Sequence, residues 1–165
     1  MRREEFNGAD RAEAIAALRT CADVTRWCEQ LADRRPYASI RELLAEAASA
    51  ADPFTPDEVD AALAHHPRIG ERARGDSREA TLSRAEQAAV DPADADVQRA
   101  LRDGNRAYEE RFGRVFLIRA AGRDAPEILA ALRTRLENDP DTEARVVGEQ
   151  LREIALLRLE GMVQP

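Results

Sequence analysis

This 165-residue sequence predicts an all-α fold, a single-domain helical bundle of about eight helices with one short extended segment near 115–120. Three observations predict it. Helix starts are written as capping residues. Helix stops are written as Gly, Asn or Pro. Between them, apolar residues recur at helical spacing, and only Val115-Phe116-Leu117-Ile118 reads as extended.

In chain order, a first helix is expected near 10–19 and a second near 22–33. The second carries Val24, Trp27, Cys28 and Leu31 on one face and stops before Pro36. Ser39-Ile40-Arg41-Glu42 is a capping box for a helix over 40–50. Thr55-Pro56-Asp57-Glu58 is another, with Pro at the first helical position, opening 56–65. Pro67 ends that helix. Ser83-Arg84-Ala85-Glu86 reads as a third box, for 84–90. A helix over 94–112 aligns Leu101, Asn105, Tyr108 and Phe112 and stops at Gly113. Asp124-Ala125-Pro126-Glu127 and Asp139-Pro140 open helices over 125–137 and 140–160, with Asn138 between them. The extended strip after Gly113 is too isolated to make a sheet, so protein or ligand must satisfy its backbone groups.

Composition narrows the chemistry. Charged residues make up 35% and aromatics 4%, so the core is built of Leu, Ile, Val and Ala. A net charge of −7 argues against a nucleic-acid partner, which needs a basic face. No apolar run approaches a membrane span, and Met1-Arg2-Arg3-Glu4-Glu5 lacks a signal-peptide core, which makes a cytoplasmic location the expectation. All 25 basic residues are arginine. A lysine Schiff base and a Walker-type lysine are therefore excluded. Cys21 and Cys28 are seven residues apart, about 10.5 Å of rise if they share a helix, too far for a disulfide. They read as buried small hydrophobes. His65, His66 and the two cysteines match no zinc spacing, so no metal is expected.

Four features carry candidate chemistry. His65 and His66 are the only histidines, and imidazole titrates near neutral pH. Pro67 disfavours helix at His66. His66 is thus either a polar helix end or a proton-transfer group on a stiff turn shaped by Gly70. Ser83 and Glu86 are explained by a cap, yet a carboxylate and an amide there also suit a polar ligand, and Gln87 is left unexplained by the cap. Arg158 falls at i+11 on the stripe Val147, Leu151, Ile154. It either answers a helix dipole with its stem over the core or aims at a substrate carboxylate. Asn105 interrupts an apolar face and either bonds a neighbouring loop or supports a site. Residues 71–82 form a polar loop, readable as a flap or as a solvated connection.

Taken in order, His66-Pro67-Arg68-Ile69-Gly70, then Ser83-x-x-Glu86-Gln87, then Asn105-x-x-Tyr108-x-x-Arg111-Phe112-Gly113-x-x-Phe116-Leu117-Ile118, then Ile154-Ala155-Leu156-Leu157-Arg158-Leu159 resembles the OHCU (2-oxo-4-hydroxy-4-carboxy-5-ureidoimidazoline) decarboxylase family of urate breakdown. Trp27 and Arg35-Pro36 fit its first half, and the likeness runs over roughly residues 6–160. The resemblance implies one helical domain over 1–165, often a homodimer, with no metal or organic cofactor. It implies a small ureidoimidazoline substrate as partner, with neither nucleic acid nor membrane. It puts the catalytic groups on His66, Glu86 and Arg158. It puts substrate binding on Pro67, Ser83, Arg84, Ala85 and Gln87, and on the backbone of Phe116, Leu117, Ile118, Arg119 and Ala120.

Arg119 departs from the family, where many relatives carry cysteine or a small residue. A side chain there facing the pocket would change its charge, which keeps a relative with an altered ureido substrate in play beside a non-enzymatic helical module. The arginines at 68, 72, 74 and 78 are expected to draw an anionic substrate to an acidic protein.

Overall fold

The computed structural model describes residues 1–64, 66–70, 78–90 and 94–165. Its elements among the described residues are helices: α1 Arg3–Gly8, α2 Arg11–Arg19, α3 Thr25–Asp33, α4 Ile40–Ala50, α5 Pro56–Leu63, α6 Arg78–Glu86, a 3₁₀ turn Ala88–Val90, α7 Ala95–Phe112, α8 Ala125–Leu136 and α9 Pro140–Met162. Among the described residues the β-type pairing is one isolated bridge between Arg2 and Gln164. The all-α reading therefore holds.

Local chemistry explains most boundaries. Ser39 Oγ accepts the Glu42 N–H at 3.1 Å, while Glu42 Oε2 accepts the Ala38 N–H. Thr55 and Glu58 exchange both bonds of a capping box, as do Asp124 and Glu127. Gly113 ends α7 at φ +69°, a left-handed conformation that glycine adopts without a Cβ penalty. Three boundaries differ from expectation. A short α1 precedes the first expected helix; six residues carry no periodic stripe to reveal it. Helix α3 starts at Thr25, so Cys21 lies before it and the two cysteines do not share a helix. Helix α6 runs over Arg78–Glu86, so Ser83 sits inside it, 4% exposed, and not at its N-terminus.

The chain forms two compact units. One comprises Met1–Ala62 and Leu151–Pro165, the other Leu63–Gln150. In the first, Trp27 is fully buried, donates from Nε1 to Ala47 O at 3.0 Å, and meets the Phe54 edge. Arg35 reaches back to the carbonyls of Phe6 and Ala9, and Tyr37 Oη donates to Leu31 O. Both cysteines are buried thiols outside any disulfide, and burial pushes the Cys28 thiol up to about 12.

In the second unit α7 packs on α8 around Leu101, Tyr108, Ile128 and Leu132, with Phe116 and Ile118 against the same core. Gly104 permits the approach: a Cβ there would lie 2.4 Å from Leu132 Cδ2. A buried charged cluster crosses this core. Glu143, 1% exposed, accepts from Tyr108 Oη at 2.5 Å, from Arg135 Nε at 2.8 Å and Nη2 at 2.5 Å, and from Asn138 Nδ2 at 3.0 Å. Arg135 also donates from Nη1 to Leu117 O at 2.6 Å and lies 4.5 Å from the Phe116 ring centre. Such a pair is stable only when its remaining donors and acceptors are satisfied, and here the neighbouring groups satisfy them. Burial, and then the bond to Glu143, push the Tyr108 hydroxyl well above its ordinary value.

Candidate functional site

The site grows from the turn that follows α5. His66 donates its backbone N–H to Leu63 O at 3.1 Å, closing the last turn as Pro67 forbids the helix to continue. His66 and Pro67 are half-buried. The next three residues are pinned by three side chains. Arg68 makes a forked ion pair with Glu109, at 2.5 Å from Nε and 3.1 Å from Nη2. Ile69 O accepts from Asn105 Nδ2 at 2.9 Å. Gly70, at φ +88°, donates its N–H to Gln87 Oε1 at 3.1 Å. The imidazole thus stands on a turn whose far side is fixed from α7 and from the end of α6. A fixed scaffold of this kind is what a proton-transfer group requires.

Each sequence-predicted residue has a definite place. Glu86 is the last residue of α6 and half-buried; Gln87 follows it, and its own N–H is held by Ser83 O at 3.1 Å. The Gly70–Gln87 bond therefore ties the His66 turn to the chain segment that carries Glu86. Ser83 is buried, Arg84 is half-buried and donates to Thr81 Oγ1, and Ala85 is exposed. Phe116, Leu117, Ile118 and Ala120 are buried, while Arg119 is half-buried and donates from Nη1 to Ala121 O. These residues all belong to the 63–150 unit. Arg158 belongs to the other unit. It is 5% exposed on the inner stripe of α9, where the sequence placed it, and Nη1 donates to Thr20 O, the C-cap of α2, at 3.3 Å. His65 and residues 71–77, with Arg72 and Arg74, lie outside the described residues; residues 78–82, read as loop, are the first turns of α6.

The extended segment shows how its backbone is satisfied. Leu117 O is taken by Arg135, and the Arg119 N–H donates to Gln150 Oε1 at 2.9 Å. Reading the sequence missed Arg135, Glu143 and Gln150. A signal existed for two of them. Arg135 falls at i+7 on the apolar stripe Ile128, Leu132, and Glu143 lies four residues before Val147 on the inner stripe of α9. A charge at such a position calls for a buried partner. Asn105 makes a loop contact, and the loop it binds, through the Ile69 carbonyl, is the His66 turn.

Comparison with known proteins adds the following. The model of the family described as OHCU decarboxylase matches residues 7–160. A uric acid degradation bifunctional protein from Bacillus sp. (strain TB-90) is 24% identical over 161 residues, which are 97% of this chain and 32% of that protein. This chain thus spans about a third of its length. A 2-oxo-4-hydroxy-4-carboxy-5-ureidoimidazoline decarboxylase from Haloferax volcanii is 27% identical over 158 residues, covering 94% of this chain and 92% of that one. A crystal structure of an OHCU decarboxylase in the presence of (S)-allantoin superimposes with a TM-score of 0.70 at 22% identity, covering 93% of this chain and 97% of the other. That last likeness is one of fold. Among the described residues no helix is long and apolar enough to cross a membrane.

Proposed function

This chain belongs to the OHCU decarboxylase family, matched over residues 7–160, and from that premise we propose that it converts 2-oxo-4-hydroxy-4-carboxy-5-ureidoimidazoline into (S)-allantoin with His66 as the proton-transfer group. The enzyme is a carboxy-lyase of urate degradation. The substrate can supply its own electron sink. The carboxylate and a hydroxyl share one ring carbon, and the adjoining ring carbon is doubly bonded to nitrogen. Breaking the carbon–carboxylate bond releases carbon dioxide, forms a double bond between the two ring carbons and shifts the C=N pair onto the nitrogen, which takes a proton from solvent. The resulting enol then becomes the ring carbonyl as its neighbour carbon takes a proton. Delivery to one face fixes the handedness.

His66 delivers that proton from its pinned turn. Glu86 takes the hydroxyl proton as the carbonyl forms. Gln87 has its Oε1 engaged by the Gly70 N–H, so its amide nitrogen is the group for a ureido carbonyl. The Arg119 N–H is engaged by Gln150, so oxyanion support falls on the N–H groups of Ile118 and Ala120. Arg158, by the same resemblance, receives the substrate carboxylate. Pro67, Ser83, Arg84, Ala85, Phe116 and Leu117 shape the binding surface. No metal or organic cofactor enters these steps. The proposal further takes residues 1–165 as one functional domain, acting as a homodimer in the cytoplasm.

The observation that carries the proposal is the bond between Gly70 and Gln87, because it links the two motifs that supply His66 and Glu86. The test generates the substrate from urate in situ and follows optical rotation. The expected result is rapid, single-handed allantoin. Decay at the spontaneous rate with no rotation would defeat the proposal.

A further inference from the structure

Among the described residues the strip 116–120 pairs with no strand, yet its backbone is held as a strand's would be. Two side chains supply the missing ladder bonds. Arg135 donates from Nη1 to Leu117 O at 2.6 Å, and the Arg119 N–H donates to Gln150 Oε1 at 2.9 Å. Both grips are anchored on α9. Glu143 fixes the Arg135 guanidinium through Nε at 2.8 Å and Nη2 at 2.5 Å, and Gln150 follows Glu143 in the same helix. Their spacing is two helical turns, about 10.5 Å of rise, so the two side chains leave one face of α9. All of these residues belong to the 63–150 unit.

The two bonds bracket one residue. Leu117 O belongs to the peptide group whose N–H is that of Ile118. The Arg119 N–H belongs to the next peptide group, whose carbonyl is that of Ile118. Neither peptide bond is cis. A trans peptide group is planar, with its C=O and N–H pointing opposite ways. A guanidinium on Leu117 O therefore turns the Ile118 N–H away from Arg135. It also polarises that peptide group, which makes the N–H a stronger donor. Gln150 fixes the second plane. With both planes fixed, Ile118 is held between them and its N–H has one direction.

We propose that Gln150 is a positioning residue for decarboxylation: its bond to the Arg119 N–H, together with Arg135 on Leu117 O, keeps the Ile118 N–H aimed at the oxygen that becomes the ring carbonyl. The inference rests on the decarboxylase reading, in which that N–H supports the developing charge. Gln150 acts through the backbone and needs no contact with the substrate. Charge on the oxygen is greatest in the transition state, so an N–H held on it speeds turnover more than it tightens substrate binding.

Gln150 is half-buried and lies outside the buried Arg135–Glu143 pair, so it can be varied without stripping a charge from the core. The experiment measures kcat and KM of the full chain, with substrate generated in situ over a range of urate concentrations, for wild type, Gln150→Met and Gln150→Glu. Methionine keeps the length of the side chain but has no oxygen to accept the N–H. Glutamate keeps an oxygen where Oε1 stands. Removing an oxyanion donor outright costs about 10²–10³-fold, so misdirecting one in Gln150→Met should lower kcat about 10-fold and leave KM within about 3-fold of wild type. Gln150→Glu should recover most of the lost rate. Hydrogen exchange of the Arg119 amide, read without substrate in the ¹⁵N-labelled chain, should quicken in Gln150→Met and slow again in Gln150→Glu.

Three kinetic outcomes overturn the role: a Gln150→Met kcat within about twofold of wild type, a loss confined to KM, or a Gln150→Glu protein as slow as Gln150→Met. Unchanged exchange at the Arg119 amide in Gln150→Met would overturn it as well. A wild type without turnover would defeat the decarboxylase reading and this role with it. An active wild type matched by Gln150→Met would defeat this role alone.

Discussion

Replacing Glu143 by Gln keeps the volume of the buried side chain and removes its charge. In the native protein this carboxylate accepts four hydrogen bonds, one from Tyr108, two from Arg135 and one from Asn138. The pair is deeply buried, with side-chain exposures of 8% for Arg135 and 1% for Glu143. The variant leaves the guanidinium buried with no counter-charge, a loss that costs about 3–5 kcal/mol. For a chain of this size each kcal/mol lowers the thermal midpoint by about 2–4 °C, so the expected drop is about 6–20 °C. Arg135→Met alone removes the charge but orphans the Leu117 carbonyl and two acceptor sites on Glu143. The double variant Glu143→Gln/Arg135→Met removes both charges and should recover part of the loss, giving a coupling energy of about 1–3 kcal/mol. The assay is urea unfolding followed by circular dichroism for the four proteins of the cycle. A Glu143→Gln unfolding free energy within about 0.5 kcal/mol of wild type, the range of ordinary surface changes, would refute the view that this pair organises the core behind Phe116 to Ile118.

Further outcomes follow from other contacts. Gly104→Val should destabilise by about 1–3 kcal/mol, because its Cβ would meet Leu132 Cδ2 at 2.4 Å in a filled core; an unchanged urea midpoint would contradict the close approach of α7 and α8. His66→Asn should lower turnover by about 10²–10⁴-fold with the helical circular dichroism unchanged. Glu58 is held below its ordinary value near 4.5 chiefly by hydrogen bonds from Arg26. A depressed carboxyl contributes stability that is present above that ordinary value and disappears as pH falls through the folded value. The stability difference between wild type and Glu58→Gln should therefore be present at pH 6 and shrink toward zero below pH 4.5; a constant difference would refute the linkage. Cys28, with its thiol pushed up to about 12, should resist thiol reagents at pH 8 until the chain unfolds, which a reagent titration with and without urea reads directly.

Much of the fold was legible because its signals are local. Ser39, Thr55 and Asp124 bond to N–H groups three residues away, so their sequence spacing is their geometry. Ser83 shows where such reasoning fails. Ser-x-x-Glu is written identically at a helix start and inside a helix, and only the burial of Ser83 within α6 tells them apart. In the site, His66-Pro67 was legible because proline acts on the residue before it. What holds that turn was not. Gln87, Asn105 and Glu109 lie 17, 36 and 41 residues from the groups they bind, and no periodicity encodes such pairings. The Arg135–Glu143 pair was hidden for the same reason, joining different helices, with two interrupted apolar stripes as its trace.

The most direct measurement is allantoin optical rotation under in situ substrate generation, run in parallel for wild type, His66→Asn and a blank. Rapid (S)-enriched product from the wild type, with His66→Asn indistinguishable from the racemic blank, is the predicted result. Single-handed product from His66→Asn at the wild-type rate would contradict the assignment of proton transfer to this imidazole.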